Sequence, residues 1–101
     1  MRCSKCNKKL KKGGKRANSP SRHHVHPVRW FGKGKKNRIK VLFCNECHRE
    51  LETIIRRFEE RIIAIMMKQK RLLKRPSKQK QIRIFRSMKQ IYLQMVNDYV
   101  N

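Results

Sequence analysis

The sequence predicts a small α+β fold: a four-cysteine module of two strands and a helix over residues 1–50, continued by a basic α-helical hairpin over residues 51–101. Three observations carry this. Cys3-Ser-Lys-Cys6 and Cys44-Asn-Glu-Cys47 are two CxxC pairs. Between them lie two short segments rich in β-branched and aromatic residues, separated by a glycine-containing turn. After the second pair, apolar residues recur at spacings of three and four towards the end of the chain.

Residues 1–12 read as a CxxC knuckle followed by a basic run, and residues 13–21 as a loop by their Gly, Asn, Ser and Pro content. Residues 22–31 contain Val25, Val28, Trp30 and Phe31 and are expected to form an extended strand. Pro27 restricts it to an edge or a bulge. Gly32 to Asn37 form the turn, and Arg38 to Phe43 the second strand of a hairpin. Asn45 is the expected N-cap of a long helix. Its core stripe is Leu51, Ile54, Ile55, Phe58, Ile62, Ile65, Met66, Gln69, Leu72 and Leu73. Pro76 ends that helix, and Ser77 caps the next. The second helix carries Ile82, Phe85, Met88, Tyr92, Met95, Val96 and Tyr99 and is expected to pack antiparallel on the first. Trp30 and Phe31 are expected to pack against a helix.

With 101 residues the chain holds one small domain, whose core is marginal without a metal or disulfide staple. The chain carries 29 Lys and Arg against 6 Asp and Glu, a net charge of +23. Residues 1–50 hold 16 basic and 2 acidic side chains, and residues 51–101 hold 13 and 4, so the charge is not confined to a tail. Such self-repulsion calls for an anionic partner. Nucleic acid fits best, because each phosphate contacted by Lys or Arg releases counterions. No segment shows the Trp/Phe/Leu face of an interfacial helix, and no apolar run is long enough to span a membrane. The start of the chain leads straight into charge, so no signal peptide is expected. The expected location is an intracellular reducing compartment, cytoplasm or nucleoid, where paired CxxC motifs read as zinc sites before disulfides.

Each CxxC pair offers two sulfurs to one ion from a single turn, so Cys3, Cys6, Cys44 and Cys47 make one structural zinc site. All four histidines lie inside or beside this framework: His23, His24, His26 and His48. If Cys47 faces the zinc, His48, one helical residue on, faces elsewhere. On a regular strand His24 and His26 share a face and His23 lies opposite. Two readings stand on spacing alone. The histidines form a divalent-metal phosphodiesterase site, or they contact phosphate, stack on bases or fill the surface.

Arg22-His23-His24-Val25-His26-Pro27 and Leu42-Phe43-Cys44-Asn45-Glu46-Cys47-His48, preceded by Cys3-x-x-Cys6, resemble the HNH endonucleases of the His-Me finger superfamily, in particular the zinc-bearing branch. The resemblance covers residues 3–50, about half of the chain. It implies a ββα-metal fold, with His23 and His48 as ligands of a catalytic Mg2+ or Mn2+, His24 as the general base, and the four cysteines on a structural zinc. The family's middle asparagine, which helps position the base, falls a few residues before the second CxxC. That place holds Ile39, so the role goes to Asn37, two residues earlier.

The expected activity is metal-dependent hydrolysis of phosphodiester bonds, in DNA in preference to RNA. The basic residues expected to grip the backbone are Lys8, Lys9, Lys11, Lys12, Lys15, Arg16, Arg22, Arg29, Lys33, Lys35, Lys36, Arg38 and Lys40. The alternative is a non-catalytic, zinc-binding nucleic-acid-binding protein, associated with ribosomes or other RNA, that reuses the same scaffold. In either case the helical hairpin is a candidate contact for a larger protein or ribonucleoprotein.

Overall fold

The computed structural model describes residues 1–11, 20–32, 34 and 39–101. Most of the expected loop over 13–21 and of the turn over 32–37 lies outside these residues. The chain opens on a knuckle. Asn7 adopts a positive φ of 62°, the Asn7 N–H donates to the Cys3 carbonyl, and an isolated bridge joins Arg2 to Lys9.

Strand β1 (Ser21–His24) pairs antiparallel with β2 (Lys40–Phe43), His23 opposite Val41 and His24 opposite Lys40. The expected first strand does not run on to Phe31. Pro27 supplies no backbone donor, and its fixed φ suits the entry to a helix. Its carbonyl accepts from the Trp30 and Phe31 N–H groups, which start a single helical turn, α1 (Val28–Phe31). This turn delivers Trp30 to the core, 4.8 Å from the Phe85 ring between centroids.

Helix α2 (Asn45–Gln69) begins at the expected cap residue, one position early: Cys44 is the N-cap, and its Sγ accepts from the Cys47 N–H at 3.5 Å. The helix also ends earlier than expected. Lys70 is the C-cap, Arg71 takes a left-handed φ of 52°, and the Arg71 and Leu72 N–H groups donate to the Lys68 and Met67 carbonyls. That is a Schellman closure, which satisfies the last carbonyls and reverses the chain ahead of Pro76. Leu72 and Leu73 therefore leave the core stripe, and Leu73 is 99 % exposed. Ile54 and Ile65 are also exposed, while Leu51, Ile55 and Ile63 are buried.

The second expected helix is two, α3 (Lys78–Arg86) and α4 (Lys89–Val100). Ser77 caps α3 as expected, its Oγ accepting from the Lys80 N–H. The break has a local cause. The Ser87 hydroxyl donates to the Ile84 carbonyl, and the Met88 N–H turns instead to Phe85. Helix α4 lies antiparallel to α2. The Tyr99 hydroxyl donates to the Cys47 carbonyl, near the start of α2, and the Tyr92 hydroxyl to Glu59, farther along it.

One core joins the cysteine module to the helices. Phe43, Leu51, Ile55, Phe85, Tyr92 and Val96 are all buried in it. Glu59 is buried there too, and its carboxylate accepts from Arg29 (2.7 Å), Trp30 Nε1 (2.6 Å) and the Tyr92 hydroxyl (2.6 Å). Helices α1, α2 and α4 thus meet on one side chain. No helix among the described residues is long and apolar enough to cross a membrane.

Candidate metal centres

The knuckle at the amino end and the N-terminus of α2 bring Cys3, Cys6, Cys44 and Cys47 together, with sulfur atoms all within 4.8 Å of one another. Cys6 and Cys44 Sγ are 3.8 Å apart, and all four thiols are free. The Ser4 N–H donates to the Leu42 carbonyl, which ties the first pair to β2 just before the second. Cys3 is buried, which raises its pKa. The backbone N–H groups of Cys6, Cys44 and Lys5 more than offset this and bring it down to about 6. Burial and the neighbouring sulfurs push Cys47 up to about 12. Four thiols this close cannot all ionise without a cation among them, and they are positioned to bind one metal ion.

The second cluster lies one helical residue away. Because Cys47 turns to the sulfurs, His48 turns towards β1, where the buried face of the strand presents His23. Their ring centroids are 5.3 Å apart. Glu52 completes the group: a ligand atom from each of His23, His48 and Glu52 lies within 4.8 Å of the other two. His23 Nδ1 is 3.1 Å from Glu52 Oε1, and His48 Nε2 is 3.8 Å from the same oxygen. The Ser21 hydroxyl meets His48 Nδ1 at 2.5 Å and orients that ring. His23 Nε2 is buried and has no hydrogen-bond partner among the described residues. The nitrogen of His23 that faces Glu52 is Nδ1.

Charge in this cluster is finely balanced. The His23 hydrogen bond, followed by the fields of His23, Arg29 and His48, holds the Glu52 carboxyl below its ordinary value against the opposing effect of burial. Burial and the nearby His23 lower the His48 pKa, with Glu52 pulling the other way. Both shifts favour a carboxylate and a neutral imidazole, the forms that ligate metals.

Sequence reasoning named His23 and His48 but not Glu52. The available signal was its place four residues after His48, on the same face of a helix. His24 lies outside the ligand group, half-buried on β1. His26 is buried elsewhere and pairs its Nε2 with the Lys89 carbonyl at 3.2 Å. Among the expected backbone-gripping residues, Lys9, Lys11, Arg22 and Lys40 are exposed and Lys8 is half-buried. The Arg29 guanidinium is engaged inside the fold, 2.7 Å from Glu59 and 3.8 Å from Glu52. Asn37, Lys12, Lys15, Arg16, Lys33, Lys35, Lys36 and Arg38 lie outside the described residues. Compared with protein-family models, with curated proteins and with solved structures, the chain matches none.

Proposed function

We propose that this chain is a small metal-dependent endonuclease of HNH type, hydrolysing phosphodiester bonds in nucleic acid, in DNA in preference to RNA. The observation that carries this reading is the convergence of His23, His48 and Glu52, immediately beside His24 in the sequence.

The four-cysteine cluster is read as a structural zinc site. The Cys6–Cys44 separation of 3.8 Å supports this. Four sulfurs arranged tetrahedrally at about 2.3 Å from zinc stand about 3.8 Å apart. His23, His48 and Glu52 would hold the second ion. Two imidazoles and one carboxylate suit Mn2+ better than Mg2+, which prefers oxygen ligands. When bound, that ion supplies charge neutralisation at the phosphate and the leaving oxygen.

The remaining work falls to the chain's own residues. His24 is the last residue of β1 and lies outside the ligand set. A nitrogen of His24 takes the proton from the attacking water. Ser21 fixes the His48 ring, and Arg29 holds the Glu52 carboxylate from the opposite side. The exposed Lys9, Lys11, Arg22 and Lys40 contact the phosphate backbone.

A second reading is favoured by one observation: Glu52 already lies within ion-pair reach of both His23 and Arg29. A proton could then occupy the place of the ion, on a scaffold that binds nucleic acid without cutting it. The deciding experiment uses protein stripped of bound nucleic acid, supercoiled DNA and folded RNA, with and without Mn2+ or Mg2+, beside a His24→Ala control. Metal-dependent nicking, reduced about 100-fold or more in the control with binding retained, supports the nuclease. Tight binding with no metal-dependent cutting supports the second reading.

A further inference from the structure

Between Lys68 and Lys89 the chain carries ten Lys and Arg and no Asp or Glu; the six acidic residues of the protein all lie elsewhere. The fold gathers part of this segment into a concave surface where the end of α2, the turn after it and the start of α3 meet. Lys70, Arg71, Lys74, Lys80 and Arg83 line it, over walls that include Met66, Leu72, Leu73 and Ile84. Arg75 also borders it, but its guanidinium is held by a bidentate pair with Glu60. The five other cations are all exposed.

A cleft lined by one sign of charge with apolar walls focuses the field and concentrates counter-ions. Five exposed cations on one groove suit a densely charged polyanion such as nucleic acid, where a duplex presents one phosphate per roughly 1.7 Å of axis. Among the described residues none lining the groove is aromatic, so they offer no platform for stacked bases. Its concavity suits a rod-like backbone better than the flat surface of a bilayer.

We infer that this groove is a second nucleic-acid grip, which binds the phosphate backbone without reading bases at the far end of α2 from the His23–His48–Glu52 cluster. From Glu52 to Lys70 is 18 helical residues, or about 27 Å at 1.5 Å per residue. At about 3.4 Å per base pair, that is roughly 8 pairs of duplex. The inference rests on the nucleic-acid reading above and deepens it: the favoured substrate is a duplex long enough to lie along α2 and reach both ends.

The test neutralises the groove with Lys70→Gln, Arg71→Asn, Lys74→Gln, Lys80→Gln and Arg83→Gln. Asparagine is chosen at position 71 because it tolerates the left-handed φ there. A second variant exchanges Lys and Arg at the same positions, and thermal melting verifies that both fold. Binding is measured against a duplex of about 24 base pairs, across a salt series. The dependence of log K on log salt should become shallower by about four in the neutralised variant and stay unchanged in the exchanged one. Affinity for the long duplex near 0.1 M salt should fall at least tenfold. Affinity for a hairpin with a stem of about 5 pairs, roughly 17 Å long and too short to span both ends, should change by no more than about twofold. An unchanged salt slope on the long duplex overturns the inference, as does an equal loss on the short one. It is also overturned if neutralisation spares the duplex but abolishes binding to phosphatidylserine vesicles or to poly-glutamate. Because this is equilibrium binding, failure to cut nucleic acid counts against the nuclease reading alone and does not bear on the groove.

Discussion

Replacing Glu59 with alanine removes one side chain and strands three donors. The Arg29 guanidinium, Trp30 Nε1 and the Tyr92 hydroxyl all converge on its carboxylate at 2.6–2.7 Å. Hydrogen bonds to a charged group contribute roughly 1.5–3 kcal/mol each, but these values do not simply add. Arg29 is a third exposed, so water replaces part of what it loses. Trp30 and Tyr92 are buried and have no such substitute. Two stranded buried donors at about 1–3 kcal/mol each, with a discounted share for Arg29, give about 3–5 kcal/mol. For a domain of this size that is a large part of the whole stability, and corresponds to a fall in Tm on the order of 20 °C. The assay is urea unfolding at saturating Zn2+, followed by the fluorescence of Trp30, the sole tryptophan. The fixed metal concentration holds the linkage term constant. Glu59→Gln keeps one oxygen to accept from Trp30 and Tyr92 and sets an NH2 group against the Arg29 guanidinium, so it should cost less than alanine, about 1–2 kcal/mol. A cost below about 1 kcal/mol for Glu59→Ala would refute the reasoning, since the buried donors would then have found other partners.

Further outcomes follow from the same geometry. Burial lowers the pKa of His26 below its ordinary 6.5, against the hydrogen bond to the Lys89 carbonyl, with the Lys89 charge adding a smaller push in the same direction as burial. The unfolded chain therefore takes up the proton first, so the contribution of His26 is full above about pH 6.5 and is lost progressively as pH falls towards the folded-state value. In thermal melts between pH 7.5 and 5, His26→Gln should flatten this part of the profile. The purified protein should hold one equivalent of Zn2+ per four-cysteine cluster by elemental analysis, and Cys44→Ser should lose it together with several kcal/mol of stability. Leu73→Ser should leave urea stability within about 0.5 kcal/mol, because that side chain is almost fully exposed. A large loss there would mean that α2 continues past Gln69 and buries it.

Periodicity and spacing made much of this legible. The two CxxC pairs foretold the sulfur cluster, and the three-four stripe foretold α2 and its antiparallel partner. What stayed hidden depends on single backbone atoms and on charge placed inside the core. Val28, Trp30 and Phe31 read as strand residues, but the Pro27 carbonyl collects two N–H groups and makes them a helical turn. Ser87 reads as an ordinary helix residue until its hydroxyl takes the Ile84 carbonyl. Arg71 in a left-handed conformation is not a residue from which a helix end would be guessed. Glu52 and Glu59 read as solvated acids on a basic helix. Only the packing of β1, α1 and α4 against α2 reveals that one joins a histidine pair and the other anchors the core.

The most direct test of the central claim, that His23, His48 and Glu52 form a catalytic metal centre, is the initial rate of plasmid nicking as a function of Mn2+ concentration. The measurement is made at saturating Zn2+ for the parent chain and for Glu52→Gln. The expected result is saturable activation of the parent, displaced to at least about tenfold higher Mn2+ in the variant. Nicking that is absent at every Mn2+ concentration, or activation curves that coincide, would contradict the account and leave the cluster as a half-buried ion pair.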